Sequence, residues 1–322
     1  MNELARGVLS LYSYDPDPDN TSIENLLLQS VRLVGSFPSI VANAYAVKRH
    51  YFQGESLHIH YPEPELSTAE NFLRMIRPDK HFTHEEARLL DLCLVCHAEH
   101  GGGNNSTFTC RSVSSTGTDT YSAIAAAVGS LKGPKHGGAN RQVLAQFSLI
   151  KQTVRDWKDD DAVADCVGRI LRRELSDGSG LIYGMGHAVY TLSDPRTVIL
   201  RKSARTLAAQ RGMLDELELM EAVERVTPRV FAEVTGHEKV MCANVDMYSG
   251  LIYQMLDIPP DLFTPLFAVA RITGWCAHRM EEVLTGGRLY RPAYKSLTRH
   301  REYIPMAART YRKNPLPAEK RD

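Results

Sequence analysis

The spacing of hydrophobic and polar positions predicts a chain built almost entirely of helices. Apolar residues recur at three- and four-residue intervals along most of the sequence, and the alternation typical of half-buried strands is nearly absent. Two capping boxes, in which a Ser or Thr lies three residues before a Glu, mark helix starts at Ser67 and Thr83. They predict helices over 68–76 and 84–97, and the fold class is predicted to be all-α.

Capping residues and prolines predict further helix starts along the chain. A third capping box at Thr21 predicts a helix that ends at about Val34. The Asp-Pro-Arg sequence at 194–196 predicts a long helix that ends at about Arg211. Other starts are predicted at Pro38, Asn140, Asp159, Thr227 and Thr264.

The composition predicts an ordinary globular protein of one large or two moderate domains. The chain has 322 residues, 43% of them hydrophobic, and is long enough to bury a sizeable core. Lys and Arg (38) balance Asp and Glu (38), so the charge points neither to nucleic acid nor to an anionic membrane. Six cysteines do not make a disulfide scaffold in so long a chain. No apolar run approaches a membrane span and no signal peptide is recognisable, so we expect a cytoplasmic protein.

The candidate chemistry is concentrated between His97 and Asn140 and in later glycine-rich segments. His100 and His136 each lie beside glycine, where the backbone turns sharply and a ligand can approach closely. His187 has similar surroundings in a loop punctuated by glycines. A single histidine is usually structural, so these three side chains are of interest mainly as a group.

Two charged residues in apolar surroundings each allow a structural and a functional interpretation. Arg271 lies in an otherwise apolar helix, where it pairs either with a buried carboxylate of the chain or with a substrate carboxylate. Asp246 is flanked by apolar residues, which would raise its pKa toward the range of a general base. It could equally be a helix cap. The residues alone leave these alternatives open.

The segment Cys93-Leu-Val-Cys96-His97 matches the CxxCH pattern of covalent haem attachment. It lies inside a predicted apolar helix, whereas haem attachment needs an accessible loop and export from the cell. Zinc bound by these three residues and His100 is the other alternative, but one straight helix cannot surround a metal tetrahedrally. We therefore favour buried core cysteines and predict no metal site.

Four blocks of the sequence resemble, in order, the signature blocks of citrate synthases: HAEHGGGNNSTFTCR, SSTGTDTYSAIAAAVGSLKGPKHGGAN, GMGHAVYTLSDPRT and NVDMYSG. The resemblance implies a large helical domain formed by 1–136 and 252–322 and a smaller, mobile helical domain over 137–251. The active site would lie in the cleft between them. Family members usually carry further residues before the position of Met1, so the resemblance implies a fragment or an unusually short member.

Matched residue by residue, the resemblance also implies roles for the candidate residues. His136 resembles the histidine that hydrogen-bonds the thioester carbonyl of acetyl-CoA, and Asp246 resembles the aspartate that removes a methyl proton. His187 resembles the histidine that polarises and protonates the ketone of oxaloacetate. The implied ligands of oxaloacetate are His100, Arg196, Arg271 and, reaching over from the other subunit, Arg291.

The resemblance further implies the reaction and its partners. Acetyl-CoA and oxaloacetate would condense, and citryl-CoA would be hydrolysed to citrate and CoA, a step of the tricarboxylic acid cycle. CoA would lie along 181–189, with the candidates Leu181, Gly184, Met185 and Gly186, and its phosphates would meet Lys48 or Arg49. A homodimer is implied, with the small-residue helix Ser122–Leu131 in its interface. No cofactor, nucleic acid or membrane partner is expected.

Three alternatives remain. 2-Methylcitrate synthase uses propionyl-CoA with the same residues, and one methylene changes binding by only about 1–3 kcal/mol, too little to separate the two from sequence. An inactive, truncated relative that serves as a dimerising structural protein belongs to a different class. A metal- or haem-binding helical protein built on the CLVCH segment is the third.

Overall fold

Helices account for nearly all of the regular backbone. The computed structural model describes residues 1–186, 190, 192–237, 241–295, 297 and 302–309. Their α-helices are α1 (Asn2–Leu11), α2 (Ile23–Gln53), α3 (Thr68–Ile76), α4 (His84–His97), α5 (Asn105–Ser114), α6 (Thr120–Leu131), α7 (Ala139–Thr153), α8 (Asp160–Leu171), α9 (Pro195–Gln210), α10 (Leu214–Thr235), α11 (Asp246–Met255) and α12 (Phe263–Leu284). These described residues contain no β-strand, only an isolated bridge between Met185 and Ala243. The predicted all-α class is confirmed.

Side-chain caps set the starts of several helices. Ser67 and Thr83 form complete capping boxes, which confirms the predicted starts of α3 and α4. The predicted start of α2 is wrong by one residue. Ser22 rather than Thr21 is the cap, because its hydroxyl accepts a hydrogen bond from the Asn25 N–H at 3.4 Å.

Two prolines that were predicted to begin helices lie inside longer ones. Pro38 is buried within α2, and Pro228 lies within α10. Thr227 does not cap a helix, since its hydroxyl donates to the Val223 carbonyl one turn earlier at 2.6 Å. A proline inside a helix costs about 3 kcal/mol, so packing has to offset it. Both helices pack along their length, α2 against α1, α3 and α12, and α10 against α8 and α9.

Helix α12 is the central element around which the candidate site is arranged. It packs against α2, α4, α5 and α6, and Trp275 and Ile272 are fully buried on it. A second group of helices contains α7–α11, in which α8 packs on α10 and α11 packs on α7 and α9. Contacts of α4 with α9 and α11 join the two groups.

The cysteines are buried, as predicted for those of the CxxCH segment. All six are free thiols in the interior, and burial raises the pKa of the Cys93 thiol well above its ordinary value. In the part of the chain that the structure describes, no group of three His, Cys, Asp or Glu side chains is arranged to hold a metal ion.

The chain forms two compact units, Met1–Leu289 and Tyr290–Asp322. The predicted division at residues 136 and 251 falls within the first unit and stays a prediction. Among the described helices, none is both long and apolar enough to cross a membrane.

Candidate active site

Arg271 is a fully buried cation with one unused hydrogen-bond donor. Its Nε donates to the His97 carbonyl at 2.7 Å, and its guanidinium carbon lies 4.7 Å from the centre of the Phe267 ring. Within the described ranges, its Nη1 has no hydrogen-bond partner. Burial lowers the pKa of Arg271 to about 10, although the guanidinium stays charged at neutral pH. A buried guanidinium with a free donor favours an anionic ligand as its missing partner.

His136 lies on the connection between α6 and α7, which is held against the start of α12. The Thr264 hydroxyl donates to the Gly137 carbonyl at 2.8 Å. A Cβ at Gly137 would lie 2.7 Å from the Thr264 methyl carbon, so only glycine allows this close approach. Glycine is therefore required at position 137 by the close packing against Thr264.

The hydrogen bonds of His136 define which nitrogen carries the proton. Its Nε2 accepts from the Ser106 backbone N–H at 3.3 Å and lies 3.0 Å from the Ser106 hydroxyl, to which the Trp275 indole N–H donates at 3.1 Å. Burial, reinforced by the Arg271 charge, lowers the pKa of His136 to about 4. The ring is therefore neutral at pH 7, with its proton on Nδ1, and no described residue accepts a hydrogen bond from that nitrogen.

Asp246 is the first residue of α11 and carries a carboxylate with a raised pKa. Burial raises the pKa of Asp246 to about 6, while the charges of Arg196 and Arg271 limit the rise. Its backbone N–H is bonded by the Asn244 side chain at 3.1 Å, and Val245 occupies the N-cap position. The Asp246 side chain thus does not cap the helix, which removes the structural alternative left open by the sequence.

The segment that precedes His187 is hydrogen-bonded to the segment that precedes Asp246. Gly186 N–H donates to the Cys242 carbonyl at 2.8 Å, and Asn244 N–H donates to the Gly184 carbonyl at 2.8 Å. The Asn244 side chain also donates to the Gly186 carbonyl at 3.1 Å. These bonds and the Met185–Ala243 bridge hold the two loops in one register.

Arg196 is held by Asp194, which the sequence predicted as a helix cap but not as a partner of the guanidinium. Asp194 caps α9 through the Arg196 N–H and grips the guanidinium with both oxygens, at 3.0 Å from Nε and 2.7 Å from Nη2. The Asp194 side chain is fully buried. Its charge also acts on Asp246, where it raises the pKa. The capping residue Asp194 thereby also fixes the orientation of the Arg196 side chain, a candidate for binding the substrate.

The remaining predicted ligands differ in how much the structure says about them. His100 follows α4 and stacks on Tyr190, with ring centres 6.3 Å apart. His187 lies outside the described residues, as does the Val189 end of the predicted CoA segment. Arg291 is exposed and belongs to the second unit.

The predicted CoA ligands fall into two separate places. Leu181, Gly184, Met185 and Gly186 belong to the loop before His187, which α7 anchors because the Gln146 side chain donates to the Leu181 carbonyl at 2.9 Å. Lys48 and Arg49 lie on α2, where Lys48 pairs with Asp261 at 2.6 Å and Arg49 pairs with Glu55. No contact among the described residues joins Lys48 or Arg49 to that loop.

Arg271 lies within electrostatic reach of His136, Asp246 and Arg196. Arg271 is the common neighbour, because its charge acts on the pKa of both His136 and Asp246. Phe267 lies between two of these residues, with its ring centre 6.4 Å from that of His136 and 4.7 Å from the Arg271 guanidinium carbon. Sequence reasoning missed Phe267, although its spacing of one helical turn from Arg271 was a usable signal. It also missed Ser106 and Trp275, which are 169 residues apart and had no such signal.

Comparison with known proteins identifies the family. The sequence profile described as "Citrate synthase, C-terminal domain" matches residues 1–293. The chain belongs to the citrate synthase family.

Relatives within the citrate synthase family carry two names. The citrate synthase of Synechocystis is 39% identical over 87% of this chain, which spans 64% of that protein's length. The citrate synthase of Deinococcus radiodurans is 38% identical, and the match covers 91% of this chain and 71% of the length of that protein. The 2-methylcitrate synthase 1 of Corynebacterium glutamicum is 34% identical, and the match covers 96% of this chain and 75% of the length of that protein.

Solved structures of citrate synthases share the fold. The Thermoplasma acidophilum enzyme, in a ternary complex with carboxymethyl coenzyme A and oxaloacetate, has a TM-score of 0.77 and 28% identity, covering 95% of this chain and 75% of that one. The Thermotoga maritima enzyme has a TM-score of 0.72 and 28% identity, covering 96% of this chain and 82% of that one.

Proposed function

We propose that the chain is a citrate synthase-type acyltransferase that condenses acetyl-CoA with oxaloacetate and hydrolyses citryl-CoA to citrate and CoA. The observation that carries the proposal is the pairing of two oppositely shifted groups beside Arg271. Asp246 has its pKa raised to about 6, and His136 has its pKa lowered to about 4 with a proton on Nδ1. A carboxylate base and a neutral hydrogen-bond donor are what the enolisation of a thioester requires.

In the proposed mechanism, the Asp246 carboxylate removes a proton from the methyl group of acetyl-CoA. The C–H electron pair moves into the enolate, whose oxygen accepts the hydrogen bond from His136 Nδ1–H. Such a preorganised donor contributes about 3–4 kcal/mol in other enzymes. The enolate carbon then attacks the ketone carbon of oxaloacetate, and His187 is proposed to give a proton to the resulting alkoxide. Water finally cleaves the thioester, which leaves citrate and free CoA.

Oxaloacetate is proposed to bind through its two carboxylates. The free Nη1 of Arg271 is the donor that a carboxylate would complete, and Asp194 presets the plane of the Arg196 guanidinium. His100 is proposed to bind the same substrate, and Arg291 is proposed to reach it from the other subunit. Cations at fixed positions turn the condensation of two substrates into a nearly unimolecular step.

CoA is proposed to lie along the loop 181–186, and no further cofactor is proposed. Gly184 and Gly186 both have positive φ angles (86° and 90°), which favour glycine, and no atom lies within 4 Å of the Cβ position of Gly186, so a ligand can approach the backbone there. Lys48 and Arg49 are proposed to meet the CoA phosphates, for which each would have to leave the carboxylate that it pairs with, Asp261 and Glu55 respectively.

A homodimer is proposed, as the sequence implied, with the solvent-facing side of α6 in the interface. On that side lie Ser122, Ala125, Ala126 and Gly129, small residues at the spacing of one helix face. Small side chains let two helices approach closely. A cytoplasmic location is part of the same proposal.

The donor specificity is tested by following free thiol release from acetyl-CoA and from propionyl-CoA, each with oxaloacetate. The proposal predicts thiol release with both and a higher kcat/KM for acetyl-CoA. A higher kcat/KM for propionyl-CoA would favour 2-methylcitrate synthase, the name carried by the Corynebacterium relative. No release with either donor, from a folded dimer, would favour the non-catalytic structural relative.

A further inference from the structure

Helix α12 contacts the segment at the end of α4 through residues on three successive turns of the helix. Arg271 Nε binds the His97 carbonyl at 2.7 Å. One turn later, Gly274 leaves room for the turn, since a Cβ there would overlap the Glu99 carboxylate. A further turn on, His278 Nε2 lies 3.0 Å from Glu99 Oε1. The turn that carries the candidate ligand His100 is thus seated on the same face of α12 as Arg271.

Glu99 is an acidic neighbour of Arg271 that is hydrogen-bonded elsewhere. Its Oε1 accepts from the Gly101 N–H as well as from His278. Burial opposes ionisation, but these hydrogen bonds hold the pKa of Glu99 below its ordinary value, so it is a carboxylate at neutral pH. The Glu99 charge is the leading influence that keeps the Arg271 guanidinium protonated against burial.

No hydrogen bond joins Glu99 to Arg271 among the described residues, although their charges interact. The Glu99 side chain is 44% exposed, so once released it can turn toward the Arg271 guanidinium, which is buried and favours an opposite charge as its partner. Such a pair would occupy the Nη1 donor that is otherwise free. Hydrogen bonds from the His278 side chain and from the Gly101 N–H keep Glu99 in its observed place, and of these two only the His278 bond can be removed by changing a side chain.

We propose that His278 is a positioning residue that holds Glu99 away from Arg271 and so keeps the Nη1 donor available to a substrate carboxylate. Glu99 then supports the charge of Arg271 from a distance without competing for its ligand. The inference rests on the proposed role of Arg271 in binding oxaloacetate.

The test measures the Kd for oxaloacetate by isothermal titration calorimetry, which does not depend on turnover. His278→Ala releases Glu99 and should raise the Kd about tenfold, a change that corresponds to about 1.4 kcal/mol. kcat at saturating oxaloacetate should stay close to wild type, because the ketoacid displaces the competing carboxylate. The double variant His278→Ala, Glu99→Gln should bind oxaloacetate nearly as tightly as wild type, since a neutral amide competes poorly for a guanidinium.

Two further variants serve as controls, with folding of all variants checked by circular dichroism. His278→Gln keeps an N–H donor toward Glu99 and should leave the Kd nearly unchanged. Glu281→Gln alters the other carboxylate near His278, at 3.2 Å from Nδ1, and should also leave it unchanged.

A wild-type Kd in His278→Ala would overturn the inference. So would an equal rise in the double variant, because the loss would then come from packing rather than from competition. If the wild-type protein bound no oxaloacetate, the proposed function and this inference would both fail. If the wild-type protein bound oxaloacetate and His278→Ala bound it equally well, only this inference would fail.

Discussion

At the scale of single residues, the proposed mechanism depends on two pKa values that burial moves in opposite directions. Burial raises the pKa of Asp246 to about 6 and lowers the pKa of His136 to about 4. Burial disfavours the charged form in both cases, so it makes the carboxylate more basic and keeps the imidazole neutral. The Arg271 charge lowers both values, which keeps Asp246 ionised at neutral pH while it strengthens the neutrality of His136.

The pH dependence of turnover follows from these values. We expect kcat/KM to fall below about pH 6, because Asp246 has to be ionised to act as a base. His136 stays neutral through this range, so a single proton should account for the fall. Steady-state rates of thiol release across the acidic range give the measurement, and a fall centred near pH 4 would assign the limb to a different group.

The raised pKa of Asp246 should also cost stability. Between its ordinary value of 3.8 and about 6, the folded protein binds more protons than the unfolded chain, so stability falls as pH rises through that window. Asp246→Asn removes the ionised group and should raise the free energy of unfolding at neutral pH by on the order of 1–2 kcal/mol. Urea unfolding at neutral pH and at pH 4 gives the comparison, and the gain should shrink at pH 4. A variant that is less stable than wild type at neutral pH would contradict the assigned environment.

At the scale of elements, the chemistry depends on two loops held in one register. The bonds between 184–186 and 242–244 place the residues before His187 beside the start of α11, whose first residue is Asp246. Helix α12 provides the other wall, with Arg271 and Phe267 one turn apart. The proposed site therefore draws on an irregular pair of segments and on one helix.

Gly184→Ala tests this arrangement. Gly184 has a φ of 86°, and an added Cβ would lie 2.7 Å from Met247 Sδ, next to Asp246. We expect a loss of stability of about 1–3 kcal/mol together with a fall in kcat. Gly186→Ala is the matched control, because φ is 90° but nothing lies within 4 Å of the added atom. Denaturant unfolding and kcat should show a clearly larger effect for Gly184→Ala, and equal effects would mean that the contact with Met247 is unimportant.

At the scale of the whole molecule, the proposed dimer completes each site with an arginine from the other subunit. Arg291 belongs to the second compact unit of the chain, whereas Asp246 belongs to the first. If the site is shared between subunits, activity requires the dimer, and two different inactive variants can restore activity when they associate.

Subunit mixing tests the shared site. Asp246→Asn and Arg291→Gln should each be nearly inactive as pure proteins. Co-expression of the two should restore about a quarter of wild-type activity, because half of the dimers are hybrids and each hybrid has one intact site. Thiol release by the purified mixture gives the measurement, and Asp246→Asn mixed with His136→Asn is the control that should show no recovery. If Arg291 acted within its own chain, the first mixture would not recover either.

The parts of the fold that the sequence predicts well are those with local causes. The boxes at Ser67 and Thr83 and the cap at Asp194 involve residues a few positions apart, so their geometry can be read from spacing. Pro38 and Pro228 were misplaced because tertiary packing offsets a local preference against proline inside helices.

The site itself was only partly predictable. Asp246 and Arg271 were visible as charges in apolar surroundings, but the sequence allowed two interpretations of each. The structure shows that Asp246 is not the helix cap and that Arg271 Nη1 has no partner among the residues it describes. The proton position of His136 depends on Ser106, and that of Ser106 on Trp275, through contacts distant in sequence. Such contacts leave no periodic pattern. The buried position of His97 beside Phe267 likewise depends on residues distant in sequence.

The most direct test of the central claim compares wild type with Asp246→Asn in two measurements on the same proteins. Thiol release from acetyl-CoA with oxaloacetate reports proton abstraction and condensation, and calorimetry reports oxaloacetate binding. The account predicts that turnover falls by orders of magnitude while the oxaloacetate Kd changes little. Turnover equal to wild type in Asp246→Asn would contradict it.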